Sequence, residues 1–422
     1  MRSIGAAISI FGSAGGVARA LLSLLNKSIK DSTNPLHKLI KQITLHLIDI
    51  EQKDIAYYNE ICPNLINQIV LNQIDLTDLE EVRKHICETE TLLIVDLSWA
   101  DTIDILDICN EFGVFYVNTA LENTEVDEDQ NLKGFTLLER FYRFEDAKNR
   151  FTNMKGIVCS GMNPGVVQWM AYSIMAMHPN EKPLACYIVE KDTTFYKEKS
   201  LLAKTICTTW SPECFLDEAI LNYPMFVKGG VPLHLYKEVY AQEFKVTLGD
   251  IQFYGCLMPH EEVLSLGTLY NMETGFIYKV NDYTTQTIRA NLECVDDLLN
   301  WNLKVLDPAE AELEGEDLVG VLLVYKDRER FMYNVMNSQF TFEKYGSNAT
   351  YIQVACGVYA GICTLLLDTI PNGVFYVEEL LEKDKNIGYG KYITQYMPDF
   401  VIGENQKSDG LILDRMKKVY KK

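Results

Sequence analysis

"AAISIFGSAGGVARALLSLL", residues 6–25, changes its periodicity half-way along. Residues 7–11 are a short apolar run with two isoleucines. Val17, Ala20, Leu21, Leu24 and Leu25 then recur at helical spacing, and glycines lie between. The stretch reads as strand, glycine turn and helix. Gly12, Gly15 and Ala18 form a G-x-x-G-x-x-A pattern, with Ser13 and Ala14 inside the turn. Small residues there let backbone N–H groups approach a pyrophosphate at the positive end of a helix. A glycine pattern in this context is the dinucleotide-binding one, so the fold turns on this stretch. A single early charge and the interrupting glycines set it apart from a secretion signal.

The pattern continues outward. A second strand, "ITLHLIDI", ends at Asp49, where an acid suits the ribose hydroxyls of NAD; Glu51 is the rival acid. The segment "NKSIKDSTNPLHK" lengthens the connection before it. "TLLIVDLSW" reads as a buried parallel strand, "TIDILDICNEFG" as a helix ending in glycine, and "VFYVNTALE" as another strand. Asp96 and Ser98 close the first of these strands; Asn118, Thr119 and Glu122 close the second. In an open parallel sheet such ends face the ligand crevice. "MKGIVCSGMNPGVVQWMAYSIM" adds a strand, a turn and a helix, with Asn163 placed as N-cap and Pro164 as first helical residue.

Beyond residue 180 the strands change character. "LACYIVEKDTTF", "EFKVTLGDIQFYGCLM", "GFIYKVND", "EDLVGVLLVYK" and "RFMYNVMN" alternate as a mostly antiparallel sheet with one covered face. The expected class is α/β: a Rossmann-type, doubly wound parallel sheet over 1–162, then an α+β substrate domain over 163–345. A helix at about 348–375 packs back on the first domain, and 376–422 is a C-terminal extension.

The 422 residues carry 59 acids against 39 bases, a net charge of −20. That field repels nucleic acid and anionic membrane surfaces and attracts cations. Eleven scattered cysteines show no C-x-x-C pair, which fits reduced thiols in a cytoplasmic protein. The six histidines do not cluster, so no metal is expected. The apolar stretch "ATYIQVACGVYAGICTLLLD" includes Thr, Gln, Gly and two Tyr, and reads as a buried helix rather than a membrane span.

"TTWSPECFLDEA", residues 208–219, sets Trp210 among Glu213, Asp217 and Glu218 with no basic residue. Glu190 with Asp192, His260 with Glu261 and Glu262, and Glu316 with Asp317 repeat the theme at strand and loop edges. Together they imply a pocket for a dication, since a cation over an indole face gains roughly 0.5–2 kcal/mol and a carboxylate adds direction.

"LLIVDLSWADTIDILDICNEFGVFYVNTALE", "GMNPGVVQWM", "VEKDTTF", "TTWSPECFLDEAI", "LMPHEEVLSLGTLY" and "GEDLVGVLL" follow one another here. In that order, from residue 7 to about 375, the sequence resembles the bacterial-type homospermidine synthases of the saccharopine-dehydrogenase-like group. The resemblance implies a homodimeric enzyme that holds NAD through a redox-neutral cycle. Putrescine is oxidised to an imine, ammonia leaves, a second amine adds, and the new imine is reduced to homospermidine. Spermidine is the other donor the family admits. By this resemblance Trp210, Glu190, Glu218, His260, Asp317 and Asn163 are the catalytic residues. Glu122, Asp96 and Glu262 meet the substrate, and Gly12, Ser13, Ala14, Gly15, Asp49, Ser98, Asn118 and Thr119 meet the cofactor. The chain departs from the family at Ile10, where a further loop glycine is usual. His260-Glu261-Glu262 replaces H-N-E, and Lys191 replaces the arginine of the "ERDT" segment. A rival reading is a carboxynorspermidine or saccharopine dehydrogenase, whose carboxylated substrates call for arginines in the pocket.

Overall fold

The computed structural model describes residues 7–198 and 202–418 and divides into two compact units. The first comprises 1–129, 140–166 and 351–397; the second comprises 130–139, 167–350 and 398–422.

The first unit is built on a parallel sheet. β1 (Ala7–Phe11) lies between β2 (Thr44–Asp49) and β4 (Thr91–Asp96). β3 (Ile69–Gln73) flanks β2, and β5 (Phe115–Asn118) and β6 (Lys155–Ile157) follow β4. A seventh strand, Gly373–Phe375, pairs in parallel with β6 and closes that edge. Every residue of β1 is buried, as a central strand covered on both faces requires. The glycine turn leads into helix α1 (Gly16–Ser28), whose buried positions include Ala18, Leu21, Leu22, Leu24 and Leu25. Strand, turn and helix therefore stand where the sequence set them, and the sheet is the Rossmann-type one expected.

The second unit is built on a mixed sheet. β7 (Ala185–Asp192) is its centre. The hairpin β8 (Gln242–Leu248) and β9 (Ile251–Met258) leads through helix α2 (Glu261–Tyr270) to β10 (Glu273–Lys279). β10 runs parallel to β7; the ladders β8–β9, β9–β10 and β7 with β11 (Glu316–Val324) are antiparallel. β12 (Glu329–Asn337) completes the run beside β11. One face is an apolar core of Tyr187, Val189, Phe244, Phe253, Leu257, Ile277, Leu318, Leu322 and Phe331. With a side-chain period of two, the alternate β7 residues Glu190 and Asp192 point to the opposite face.

The C-terminal residues are integrated rather than appended. Val401–Asn405 pairs with β12, and Met416–Lys418 with β8. Arg415, buried, forms an ion pair with buried Glu329, which also accepts from the backbone N–H of Asp409 at 2.8 Å. Helix α3, Ala349–Leu367, is long and apolar enough by composition to cross a membrane, yet 78% of its most apolar window is buried in the protein. Gly357 lets it lie against the backbone of Gly161: a Cβ there would fall 1.8 Å from the Gly161 carbonyl oxygen.

Candidate functional site

In the first unit the glycine loop holds itself. Gly12 has φ +69°, and a Cβ on it would sit 2.4 Å from the Leu97 carbonyl oxygen, so only glycine fits beside the end of β4. Ser13 N–H donates to Ile48 O at 3.1 Å, Gly15 N–H to Gly12 O at 3.1 Å, and Ala14 N–H to the Asp49 carboxylate at 2.9 Å. The free donors of this loop are therefore one step further on. Gly16, Val17 and Ala18 precede the first intrahelical bond, Arg19 N–H to Gly15 O, and among the described residues no side chain caps the helix. Asp49 also accepts from Glu51 N–H at 3.0 Å. Each of its oxygens keeps a second lone pair for a ribose hydroxyl. A dinucleotide fits this end through the α1 terminus and Asp49 rather than through the N–H groups of Ser13, Ala14 and Gly15.

The strand-end polar residues of this unit are tied to one another. Buried Asp96 accepts from Ser98 N–H, Ser98 Oγ and Tyr116 O–H at 3.1, 2.6 and 2.9 Å. Burial raises the Asp96 carboxyl above its ordinary value, and these three bonds oppose the rise. Asn118 receives Cys159 N–H at 2.9 Å and donates to Ala120 O at 2.6 Å, which stitches β5 to the segment after β6. Thr119 lies beside Gly161, and the backbone of Glu122 is held by Thr102. Asn163 is not the N-cap expected for it. The helix begins at Val166, whose N–H reaches Gly161 O at 3.0 Å, while Gly161 N–H reaches Pro164 O at 2.8 Å. Gly165, at φ +129°, folds the chain back so tightly that a Cβ would meet Gly161 O at 2.2 Å. The sequence signal Asn-Pro favoured a helix start, but the glycines on either side build a tight turn first.

The second unit gathers its predicted residues on the face of the sheet away from the apolar core. Pairing across the ladders puts Glu190 beside Tyr278 and Val319, and Asp192 beside Asp317. Trp210 Nε1–H donates to the Tyr278 hydroxyl at 3.2 Å. Phe215 stands edge-on to Trp210, Tyr240 and Tyr278, with ring centroids 6.0, 6.4 and 6.3 Å away. Tyr278 stacks on Phe276 at 5.7 Å, and His260 meets Phe276 edge-on at 4.9 Å. Ser211 caps a helical turn that starts with Pro212, and Glu218 follows in a turn of π-helix, a geometry that recurs at functional sites. Glu261 and Glu262 occupy the first turn of α2, where the helix dipole favours negative charge.

His260 joins the acids. Its Nε2 lies 3.3 Å from Glu218 and its Nδ1 2.5 Å from Glu262 and 3.6 Å from Glu261. Burial opposes a cation there, but the charges and hydrogen bonds of Glu262 and Glu218 prevail and push His260 well above its ordinary value. Burial likewise pushes Glu218 up to about 7, against the pull of His260 and with the aid of Glu261 and Asp217. His260, Glu261 and Glu262 bring one donor atom each within 4.8 Å, a spacing open to a cation. The 2.5 Å between Nδ1 and Glu262 is a hydrogen-bond contact, shorter than the roughly 3.3 Å between two ligands bonded at about 2.0–2.1 Å to one tetrahedral ion. Burial and the Asp192 charge raise the Asp317 carboxyl well above its ordinary value.

Glu190, Asp192, Glu218, Glu261, Glu262 and Asp317 are thus six buried acids, Glu218, Glu261 and Glu262 beside His260 and Glu190, Asp192 and Asp317 near Tyr278. Among the described residues no Lys or Arg pairs with Asp192, Glu218 or Glu262; His260 is the cation beside Glu218 and Glu262, and Asp192 is held by Thr194 N–H and the Thr209 hydroxyl. Tyr278, Thr209, Thr350 and Phe276 were missed from the sequence.

No family model and no curated protein matches the sequence. Among solved structures, the chain is similar to apo saccharopine dehydrogenase (L-Glu forming) from Saccharomyces cerevisiae. The TM-score is 0.57 at 11% identity, over 96% of this chain and 100% of that one. The fold is therefore saccharopine-dehydrogenase-like. A weaker likeness, TM-score 0.26 at 11% identity over 42% of this chain and 65% of that one, is to UDP-glucose 4-epimerase from Stenotrophomonas maltophila with bound NAD.

Proposed function

We propose that the protein is an NAD-dependent enzyme of the homospermidine synthase type, acting on putrescine and related polyamines. The observation that carries this reading is the set of six buried acids around Trp210, Tyr278 and a single histidine. Such a cluster is stabilised by a guest with two positive charges and few other groups. The order of the sequence motifs supports the same class, and the Rossmann-type sheet supports a nicotinamide cofactor. When bound, NAD supplies a reversible hydride acceptor for a carbon next to nitrogen. The uncapped N–H groups of α1 would hold its pyrophosphate and Asp49 a ribose. Glu218, oriented by His260, would receive one ammonium, and Glu190 the other. The Trp210 indole would meet the cation by its face, and Trp210 is fixed in turn by its bond to Tyr278.

A second reading, reductive amination of a carboxylated amine, draws on a different feature of the same unit. A cleft of about 430 Å³ is lined by Lys191, Lys279 and Arg289 together with Tyr278. Arg289 is already held by Glu243 at 2.6 Å and Lys279 by Asp282 at 3.4 Å, which leaves this cleft a weaker claim on an anion. Incubation with putrescine and a trace of NAD separates the readings. Homospermidine and ammonia without accumulation of NADH support the first; product that requires a carboxylated amine and stoichiometric NADPH supports the second. Failure to bind either dinucleotide defeats both.

A further inference from the structure

Four oxygens of the second unit lie in single file. Thr209 Oγ1 stands 2.6 Å from Asp192 Oδ2, Thr350 Oγ1 stands 2.8 Å from Thr209 Oγ1, and Asp317 Oδ2 stands 2.5 Å from Thr350 Oγ1. All four side chains are buried, at 2% exposure or less. The file links residues far apart in the chain, yet Asp192 and Asp317 are register partners on β7 and β11.

A hydroxyl has one proton to give. Thr209 gives its proton to Asp192, so its oxygen accepts from Thr350. The Thr350 proton is then engaged, and the contact with Asp317 is a hydrogen bond only when Asp317 itself carries a proton. The mirror arrangement, with Asp192 protonated and Asp317 ionised, satisfies the file equally well. With both carboxylates ionised, two protons serve three contacts, and one pair of oxygens faces lone pair to lone pair. Asp192 also accepts from Thr194 N–H at 2.8 Å, which supports a charge on Asp192 at rest. The raised Asp317 carboxyl places the proton on Asp317.

We propose that Asp192, Thr209, Thr350 and Asp317 form a one-proton relay that serves amine exchange in the site; this use rests on the function proposed above. A transfer breaks three O–H bonds and makes three. Asp317 Oδ2 passes its proton to Thr350 Oγ1, Thr350 passes its own to Thr209 Oγ1, and Thr209 passes its own to Asp192 Oδ2. The pair keeps one negative charge during this internal shift. In the exchange an attacking ammonium sheds one proton to whichever carboxylate is ionised, the pair is neutral while it holds two protons, and the departing amine takes one back, which restores the single negative charge. Thr209 and Thr350 are positioning residues: they make the two carboxyls one acid.

Infrared difference spectra of the full chain at about pH 8.5, without amine, test the pair directly. A carboxylic-acid carbonyl band that shifts in D2O is expected in the parent and absent in Asp317→Asn. It is also expected to vanish in Asp192→Asn, because the new amide donates to Thr209, reverses the file and leaves Asp317 ionised. A spectrum unchanged by Asp317→Asn, or a band that survives Asp192→Asn, overturns the pair. Turnover tests the relay. Thr209→Val is expected to lower kcat about 100-fold with KM preserved, and Thr209→Ser to restore it nearly to the parent rate. A valine variant as fast as the parent overturns the relay. Loss of all homospermidine formation by the parent, with the band pattern intact, overturns the functional reading and leaves the one-proton pair standing.

Discussion

Glu218→Gln tests whether the site stores an uncompensated charge in anticipation of a cation. The unfolded carboxyl titrates near 4.5 and the folded one near 7, because burial outweighs the help of His260. Folding therefore takes up a proton between these values. The stability that belongs to the neutral form is fully present below the unfolded value and is lost as pH rises through about 7. At 1.36 kcal/mol per tenfold, the ionised side chain costs roughly 3 kcal/mol at about pH 8.5. Glutamine keeps the shape and cannot ionise. The variant should then be more stable than the parent by roughly 3 kcal/mol at that pH, and by less than about 1 kcal/mol at pH 5. For a unit of this size the difference corresponds to a Tm gain of roughly 6–12 °C. The same variant should bind putrescine at least about 30-fold more weakly, the equivalent of about 2 kcal/mol for a lost buried ion pair. Thermal unfolding monitored at the two pH values and calorimetric titration with putrescine provide the readouts. A variant no more stable than the parent at pH 8.5 would refute the stored charge, whatever its affinity.

Trp210→Ala should weaken diamine affinity by about 3- to 30-fold, while Trp210→Phe keeps part of it; equal Kd values for both variants and the parent show that the ring does not face the cation. Gly12→Ala should lower the Tm and abolish dinucleotide binding, since the Cβ meets the Leu97 carbonyl oxygen and the backbone is left-handed there; scanning calorimetry with and without NAD checks both. Arg415→Met should destabilise the second unit by about 3–5 kcal/mol by leaving Glu329 buried and unpaired, read as a fall in urea midpoint, and Glu329→Gln in the same chain should recover much of it.

The fold was legible where periodicity changes abruptly. Residues 7–28 pass from a buried strand to an amphipathic helix through glycines, and no other element fits that order. The mixed sheet was legible as alternating runs, but its pairing was not. Nothing in the sequence places β7 parallel to β10 and antiparallel to β11, and that arrangement is what sets Asp192 beside Asp317. Trp210, Glu218 and His260 were legible together as an acidic, aromatic pocket, while their separate roles entered through resemblance and each taken alone reads as a surface group. Tyr278 was hidden as one tyrosine among 24, on a strand whose composition is ordinary. The Thr209–Thr350 contact spans 141 positions, so no local rule reaches it. Asn163 misled because a capping residue followed by proline is a common helix start, and the tight glycine turn around it is a longer-range choice.

Putrescine deuterated at both carbons next to nitrogen tests the central claim most directly. Supplied to the protein with a trace of NAD, it should yield homospermidine in which the deuterium removed in the first half of the cycle is restored in the second, with ammonia released and no deuterated NADH accumulating. Deuterated NADH that builds up in step with substrate consumed, or homospermidine that has lost that label, would contradict a redox-neutral transfer held within one site.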